Sequence, residues 1–159
     1  MIVISDNSAL SALANADMLD LLPRLFGQVR IPEDVRRECA HPRAPLQLRE
    51  WISRPPEWLE IVANPERNLP ETCGLGPGEA SAITLAWGNR NSARLILDEK
   101  RGRRVAQALG LPMTGVLGLL AEAADRGWID FDEAVARIVQ TGFFVSPSLI
   151  DTVRSRIRR

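Results

Sequence analysis

The sequence predicts an α/β fold in which a central parallel β-sheet is covered by helices on both faces. Three observations predict it. Short β-branched runs alternate with helical text along most of the chain. Two of those runs close on an aspartate, Asp6 and Asp98, which places both carboxylates on one edge of a parallel sheet. A chain of 159 residues, 45% hydrophobic and 25% charged, has the length and composition for one domain with a sizeable core.

Taken in order, Ile2, Val3 and Ile4 form a buried strand that stops at Ser5 and Asp6. Ser8 is the expected cap of a helix carrying Leu10, Leu13 and Ala14, and a second helix runs through Met18, Leu19, Leu21 and Leu22 before Pro23. Val29 to Ile31 read as a strand. Pro32 opens a helix through Val35 and Cys39, with Glu33 and Asp34 in its first turn. From His41 to Pro56 the text is rich in proline, with Leu46, Leu48, Trp51 and Ile52 at roughly helical spacing. His41, Trp51 and Trp58 are assigned there to packing or loop structure.

Leu59 to Val62 is a further strand, and 64–73 a loop rich in Pro, Asn and Glu. Gly76, Pro77 and Gly78 then lead into Glu79 and a helix whose Ala82, Ile83, Ala86 and Trp87 share a face. The strand Arg94 to Leu97 ends on Asp98. A helix holding Val105, Ala106 and Leu109 stops at Gly110, and Leu111 to Thr114 makes a short strand. Leu117, Leu120 and Ala121 mark a helix ending near Gly127. Asp130 with Glu133 forms a capping-box pattern, and Ser146 with Pro147 starts a last helix ending in Arg154, Arg156, Arg158 and Arg159. Residues 1–159 are read as a single domain, with the helices of 130–159 as an appendage.

Composition narrows the chemistry. With one histidine, His41, and two cysteines, Cys39 and Cys73, no close Cys/His spacing for zinc, no Cys/His pair and no Ser/His/Asp triad is available. Gly76 and Gly78 are not a phosphate-binding loop, because no Gly-Lys-Ser/Thr follows and no third glycine completes a dinucleotide fingerprint. The apolar start is too short for a signal peptide or a membrane span, so a cytoplasmic protein with no membrane partner is expected. A formal charge of zero argues against coating nucleic acid by bulk electrostatics. Lys100 is the only lysine, so the positive charge is nearly all arginine, the side chain suited to bidentate phosphate contact.

The expected chemistry therefore rests on carboxylates, hydroxyls, arginines or a bound metal. Asp6 and Asp98 are candidates by their strand ends, although either could instead cap the following helix; for Asp6, Ser8 offers a better-placed cap. Glu79 lies at the head of the apolar face made by Ala82, Ile83 and Ala86, where a carboxylate is expensive unless a positive or hydrogen-bonding group meets it. Three carboxylates brought together repel, and a hard divalent cation, Mg²⁺ or Mn²⁺, relieves the repulsion. Asn7, Ser8, Glu99 and Thr114 are candidates to surround the acids and hold their ligands or waters in place. Turn, cap or solvent roles weigh more for Asn7, Ser8 and Glu99, while the Thr114 hydroxyl could hold a metal-bound water. Arg101, Arg103 and Arg104, one turn beyond Asp98, are candidate phosphate contacts, or else a solvated helix face.

Four segments, ISDNSALSAL (4–13), LGPGEASAI (75–83), LILDEKRGRRVA (95–106) and LGLPMTGVLGLL (109–120), with a weaker echo in GFFVSPSL (142–149), resemble the PIN-domain nucleases. The likeness is to a prokaryotic subgroup of small single-domain proteins and reaches over nearly the whole chain. It implies a three-layer α/β/α sandwich and an Mg²⁺- or Mn²⁺-dependent ribonuclease, often the toxin of a toxin–antitoxin pair. Asp6, Glu79 and Asp98 match the family's acidic positions. Many relatives carry a further aspartate near the next strand's end, whereas Thr114 and Gly115 stand there. The expected partners are an RNA substrate, an antitoxin protein and a second copy of the chain in a homodimer. Two other functions compete: a PIN-like module that binds RNA or protein without cutting, and an acid-dependent phosphatase. The phosphatase is disfavoured because Ser8 stands where its second carboxylate belongs.

Overall fold

The computed structural model describes residues 1–157, so Arg158 and Arg159 lie outside the described residues. Five parallel strands, β1 (Ile2–Ser5), β2 (Val29–Pro32), β3 (Leu59–Val62), β4 (Ala93–Ile96) and β5 (Met113–Thr114), form one sheet in the order β3-β2-β1-β4-β5. The chain builds outward from β1 to one side, then returns to build on the other. Right-handed crossovers in opposite directions put helices on opposite faces, and the reversal between β1 and β4 opens a crevice at their carboxyl ends.

The helices are α1 (Asn7–Asn15), α2 (Leu21–Phe26), α3 (Glu33–Cys39), α4 (Leu46–Ser53), α5 (Pro77–Gly88), α6 (Lys100–Ala108), α7 (Val116–Asp125), α8 (Phe131–Gln140) and α9 (Pro147–Ser155). Two cores result. Val3, Val29, Ile31 and Ile96 face the larger one with Leu10, Leu13, Leu22, Leu119 and Leu120. Ile4, Leu95 and Leu97 face the other with Ala82, Ile83, Ala86 and Ala106. The alternation within β1 and β4 divides the two sets, because successive strand residues point to opposite faces. This is the expected three-layer α/β/α sandwich.

Several local expectations are corrected. Asp6, not Ser8, caps α1, its Oδ1 accepting the Ala9 N–H at 3.1 Å. The second helix begins at Leu21 and contains Pro23; a proline in the first turn removes an N–H that has no intrahelical acceptor there. β4 ends at Ile96, so Asp98 stands two residues beyond it. α5 has no single inward face: Gly78, Glu79, Ala80, Ser81, Ala82, Ile83 and Ala86 are all buried. The small side chains on this helix let the sheet, α3 and α6 approach it closely.

α8 opens with Asp130 accepting the Glu133 N–H at 2.9 Å and adds Phe131, Ala134, Val135 and Ile138 to the larger core, whereas α9 buries no residue. Trp51 and Trp58 meet edge to face at 5.4 Å against that core. Among the described residues no helix is long and apolar enough to cross a membrane.

Candidate active site

The crevice beyond β1 and β4 is lined from four directions by acids. Asp6 follows β1 directly and is 1% exposed. Its Oδ1 is spent on the Ala9 N–H, while Oδ2 is buried with no hydrogen-bond partner. Burial pushes the carboxyl up to about 7; the Ala9 N–H opposes this, the charges of Asp98 and Glu38 add to it, and the Ser8 hydroxyl pulls weakly against it.

Glu79 occupies the first turn of α5, where the helix N-terminus favours a negative charge. Burial raises its carboxyl to about 8, helped by contact with Glu99 and by the charges of Glu99, Asp6 and Glu38. Its Oε2 is buried and unpartnered, as is Oδ2 of Asp6. The room it occupies exists because residue 102 of α6 is glycine: a Cβ there would stand 2.2 Å from Oε2.

Asp98 is partly buried and accepts the Val116 N–H at the start of α7 with both oxygens, at 3.2 and 3.0 Å. Burial raises its carboxyl, while Val116 and the Arg103 guanidinium lower it. Gly115 is the space between them, since a Cβ at that position would lie 2.6 Å from Asp98 Oδ1 and 2.7 Å from Arg103 Nη1.

Glu38 on α3 is the acid that sequence reasoning missed. It is half-buried, its Oε1 accepts the Gly78 N–H at 3.0 Å, and its charge acts on both Asp6 and Glu79. Burial raises its carboxyl, against the Gly78 hydrogen bond and with Asp34 and Glu99 adding. The available signal was its place three residues after buried Val35 and one before buried Cys39. The partner that holds it is 40 residues away, on a different helix.

The remaining predicted residues are unequal. The Asn7 Oδ1 accepts from the Ser11 hydroxyl at 3.0 Å and the Cys39 thiol at 3.3 Å. That thiol is buried and pushed up to about 12, so it is held as a thiol. Ser8 sits in the first turn of α1 beside Asp6. Glu99 is exposed and presses its charge on Glu79. Thr114 is buried, its hydroxyl turned to the Gly115 carbonyl at 3.4 Å, and a Cβ at Gly118 would stand 2.3 Å from it; it faces the start of α7. The arginines diverge as well. Arg103 donates to the Leu97 carbonyl at 3.2 Å beside Asp98, Arg101 is exposed near Gly74, and Arg104 is exposed.

Among the described residues no three His, Cys, Asp or Glu side chains form a group that could hold a metal ion between them. The acids share a crevice and an electrostatic field without closing into a ready-made three-ligand cage. The donor set still fits a hard divalent cation. Two buried carboxylate oxygens lack partners, and Mg²⁺ takes one or two protein carboxylates while keeping several waters.

No curated protein and no solved structure matches the chain. A protein-family model described as a PIN domain matches residues 2–159. With the parallel sheet, the reversal of strand order and the acids gathered beyond it, the chain belongs to the PIN-domain family, whose fold is that of nucleases.

Proposed function

We propose that this protein is a divalent-metal-dependent endoribonuclease, with Asp6, Glu79 and Asp98, joined by Glu38, as its acidic site. The observation that carries this reading is the pair of unpartnered buried oxygens, Asp6 Oδ2 and Glu79 Oε2. An orphaned buried carboxylate oxygen costs free energy, and a fold that keeps two of them in one charged crevice gains most when a cation fills it.

When bound, Mg²⁺ or Mn²⁺ supplies Lewis-acid polarisation of a phosphoryl oxygen and acidifies a water. The protein's own groups do the rest. Asp6 and Glu79 offer their free oxygens as ligands. Asp98, fixed by the Val116 N–H, adds its charge beside Asp6. Glu38 is braced on the Gly78 N–H and can accept a proton from an attacking water, since burial and its neighbours raise its carboxyl. Arg101 and Arg104 are exposed and can meet backbone phosphates. Arg103 is already committed to the Leu97 carbonyl and steadies Asp98.

Purified protein is expected to cut single-stranded RNA with Mg²⁺ or Mn²⁺ and to stop with chelator. Equal cutting by Asp6→Asn and Asp98→Asn sinks the reading. The toxin role rests on the family resemblance and is tested at the neighbouring reading frame, where a short gene for a DNA-binding protein supports it. A second reading, a module that binds RNA or protein without cutting, is favoured by the lack of a three-ligand group among the described residues. Its other motive, an acid missing at Thr114, weakens because Glu38 brings a fourth carboxylate from α3. Mn²⁺ titration by calorimetry separates the two, since no binding favours the second.

A further inference from the structure

A groove of about 390 Å³ runs away from the acidic crevice between α1 and the turn that follows α3. Its walls hold Asn7, Ser11 and Asn15 on one side and Glu38, His41 and Arg43 on the other. The volume lies in the range of small-molecule sites and suits a single nucleotide. Asn7 and Glu38 belong to both the groove and the margin of the acidic site, so a chain lying in the groove enters that site.

The lining is polar and set in place. Asn7, Ser11 and Asn15 are spaced four residues apart and form one stripe along α1. The Asn7 carbonyl oxygen is held by Ser11 and Cys39, which leaves its amide N–H groups for a ligand. Asn15 is exposed at the far end and offers both an amide donor and an acceptor. Opposite, two hydrogen bonds close the turn: the His41 Nδ1 accepts the Arg43 N–H at 3.0 Å, and the Ala44 N–H donates to the His41 carbonyl at 2.9 Å. The imidazole, held at Nδ1 by that N–H, lines the groove. Arg43 is exposed and makes no ion pair among the described residues.

We infer that this groove is a nucleotide subsite for single-stranded RNA adjoining the cleaved bond. Arg43 takes a backbone phosphate, His41 gives a surface on which a base stacks, and the Asn15 and Asn7 amides hydrogen-bond the base edge. These are the three contacts by which unpaired nucleotides are held, and the groove presents all of them within one wall-to-wall span. The inference rests on the nuclease reading of the acidic site.

The test uses the full chain carrying Asp98→Asn, which keeps a side chain able to cap α7, and a labelled single-stranded RNA read by fluorescence anisotropy. Arg43→Ala is expected to weaken binding roughly fivefold and to lower the salt dependence by about one phosphate contact. In the cutting-competent protein, Asn15→Ala is expected to raise KM and shift the preferred cut positions while kcat stays within about twofold. Both residues are exposed, and unchanged thermal melts show that the fold is intact. If the parent cuts RNA but these variants bind and cut as it does, while Arg101→Ala and Arg104→Ala weaken binding, the strand follows α6 and the subsite is overturned. If the parent neither binds nor cuts RNA, the nuclease reading falls and takes the subsite with it.

Discussion

Glu79 shows how much a single carboxylate asks of its surroundings. Its position on α5 was readable, but the space for it is made by Gly102 on another helix, with no room for a Cβ beside Oε2. Gly102→Ala is expected to swing the flexible Glu79 side chain aside, with a stability cost below about 1 kcal/mol but a loss of Mn²⁺ affinity of at least tenfold. Thermal melting beside calorimetric titration checks both halves. Asp6 and Glu79 also make stability depend on pH. Their carboxyls are raised from 3.8 to about 7 and from 4.5 to about 8, so between those limits the folded state holds protons the unfolded chain has released. Their contribution is full below about pH 4 and is lost as pH climbs to about 8. Without metal, the protein is therefore expected to melt at lower temperature at pH 8 than at pH 5. Asp6→Asn should flatten that slope: with the carboxyl raised to about 7, its share between pH 5 and pH 8 is at most about 3 kcal/mol at about 1.36 kcal/mol per pH unit.

At the scale of elements, two of the acids serve twice. Asp6 caps α1 and Asp98 accepts the first N–H of α7, so both carboxylates have a structural role; under the proposed function, the Asp6 Oδ2 that the cap leaves free is the oxygen for a second one. Substitution separates them. Asp98→Asn keeps an acceptor for Val116 and is expected to leave stability within about 0.5 kcal/mol while cutting is lost, whereas Asp98→Ala should cost about 0.5–2 kcal/mol in addition. Denaturant melts of the two variants check this. α5 is the element whose character was least visible. Sequence periodicity suggested one inward stripe, but a helix clasped by the sheet, α3 and α6 is buried around most of its girth.

Over the whole molecule, the strand order decides which residues meet. Only the pairing of β1 with β4, with Ser5 opposite Ile96, sets Asp6 and Asp98 side by side at the crevice, although 92 positions separate them in the numbering. A cation bound there stabilises the folded state by mass action, because the unfolded chain disperses the ligands. Mn²⁺ at about a hundred times its Kd is expected to add about 2.7 kcal/mol, roughly 5–10 °C in Tm, to the wild type and little to Asp6→Asn. Scanning calorimetry with and without chelator reads the difference.

The sequence alone determined the strands, most of the helices and the acid that directly follows β1, because β-branched runs, caps and helical spacing act over a few residues; Asp98 proved to stand two residues past β4. Even there, the choice between Ser8 and Asp6 as cap turned on one backbone geometry that spacing does not specify. The tertiary structure alone decided that Glu38 joins the crevice through Gly78, that Thr114 turns to α7, that the arginines diverge, and that two carboxylate oxygens are left without partners. Those outcomes depend on contacts between segments distant in the chain, on space left by a glycine and on desolvation, none of which has a local signature. The α/β frame was written in short-range pattern; the environment of its acids was set by long-range packing.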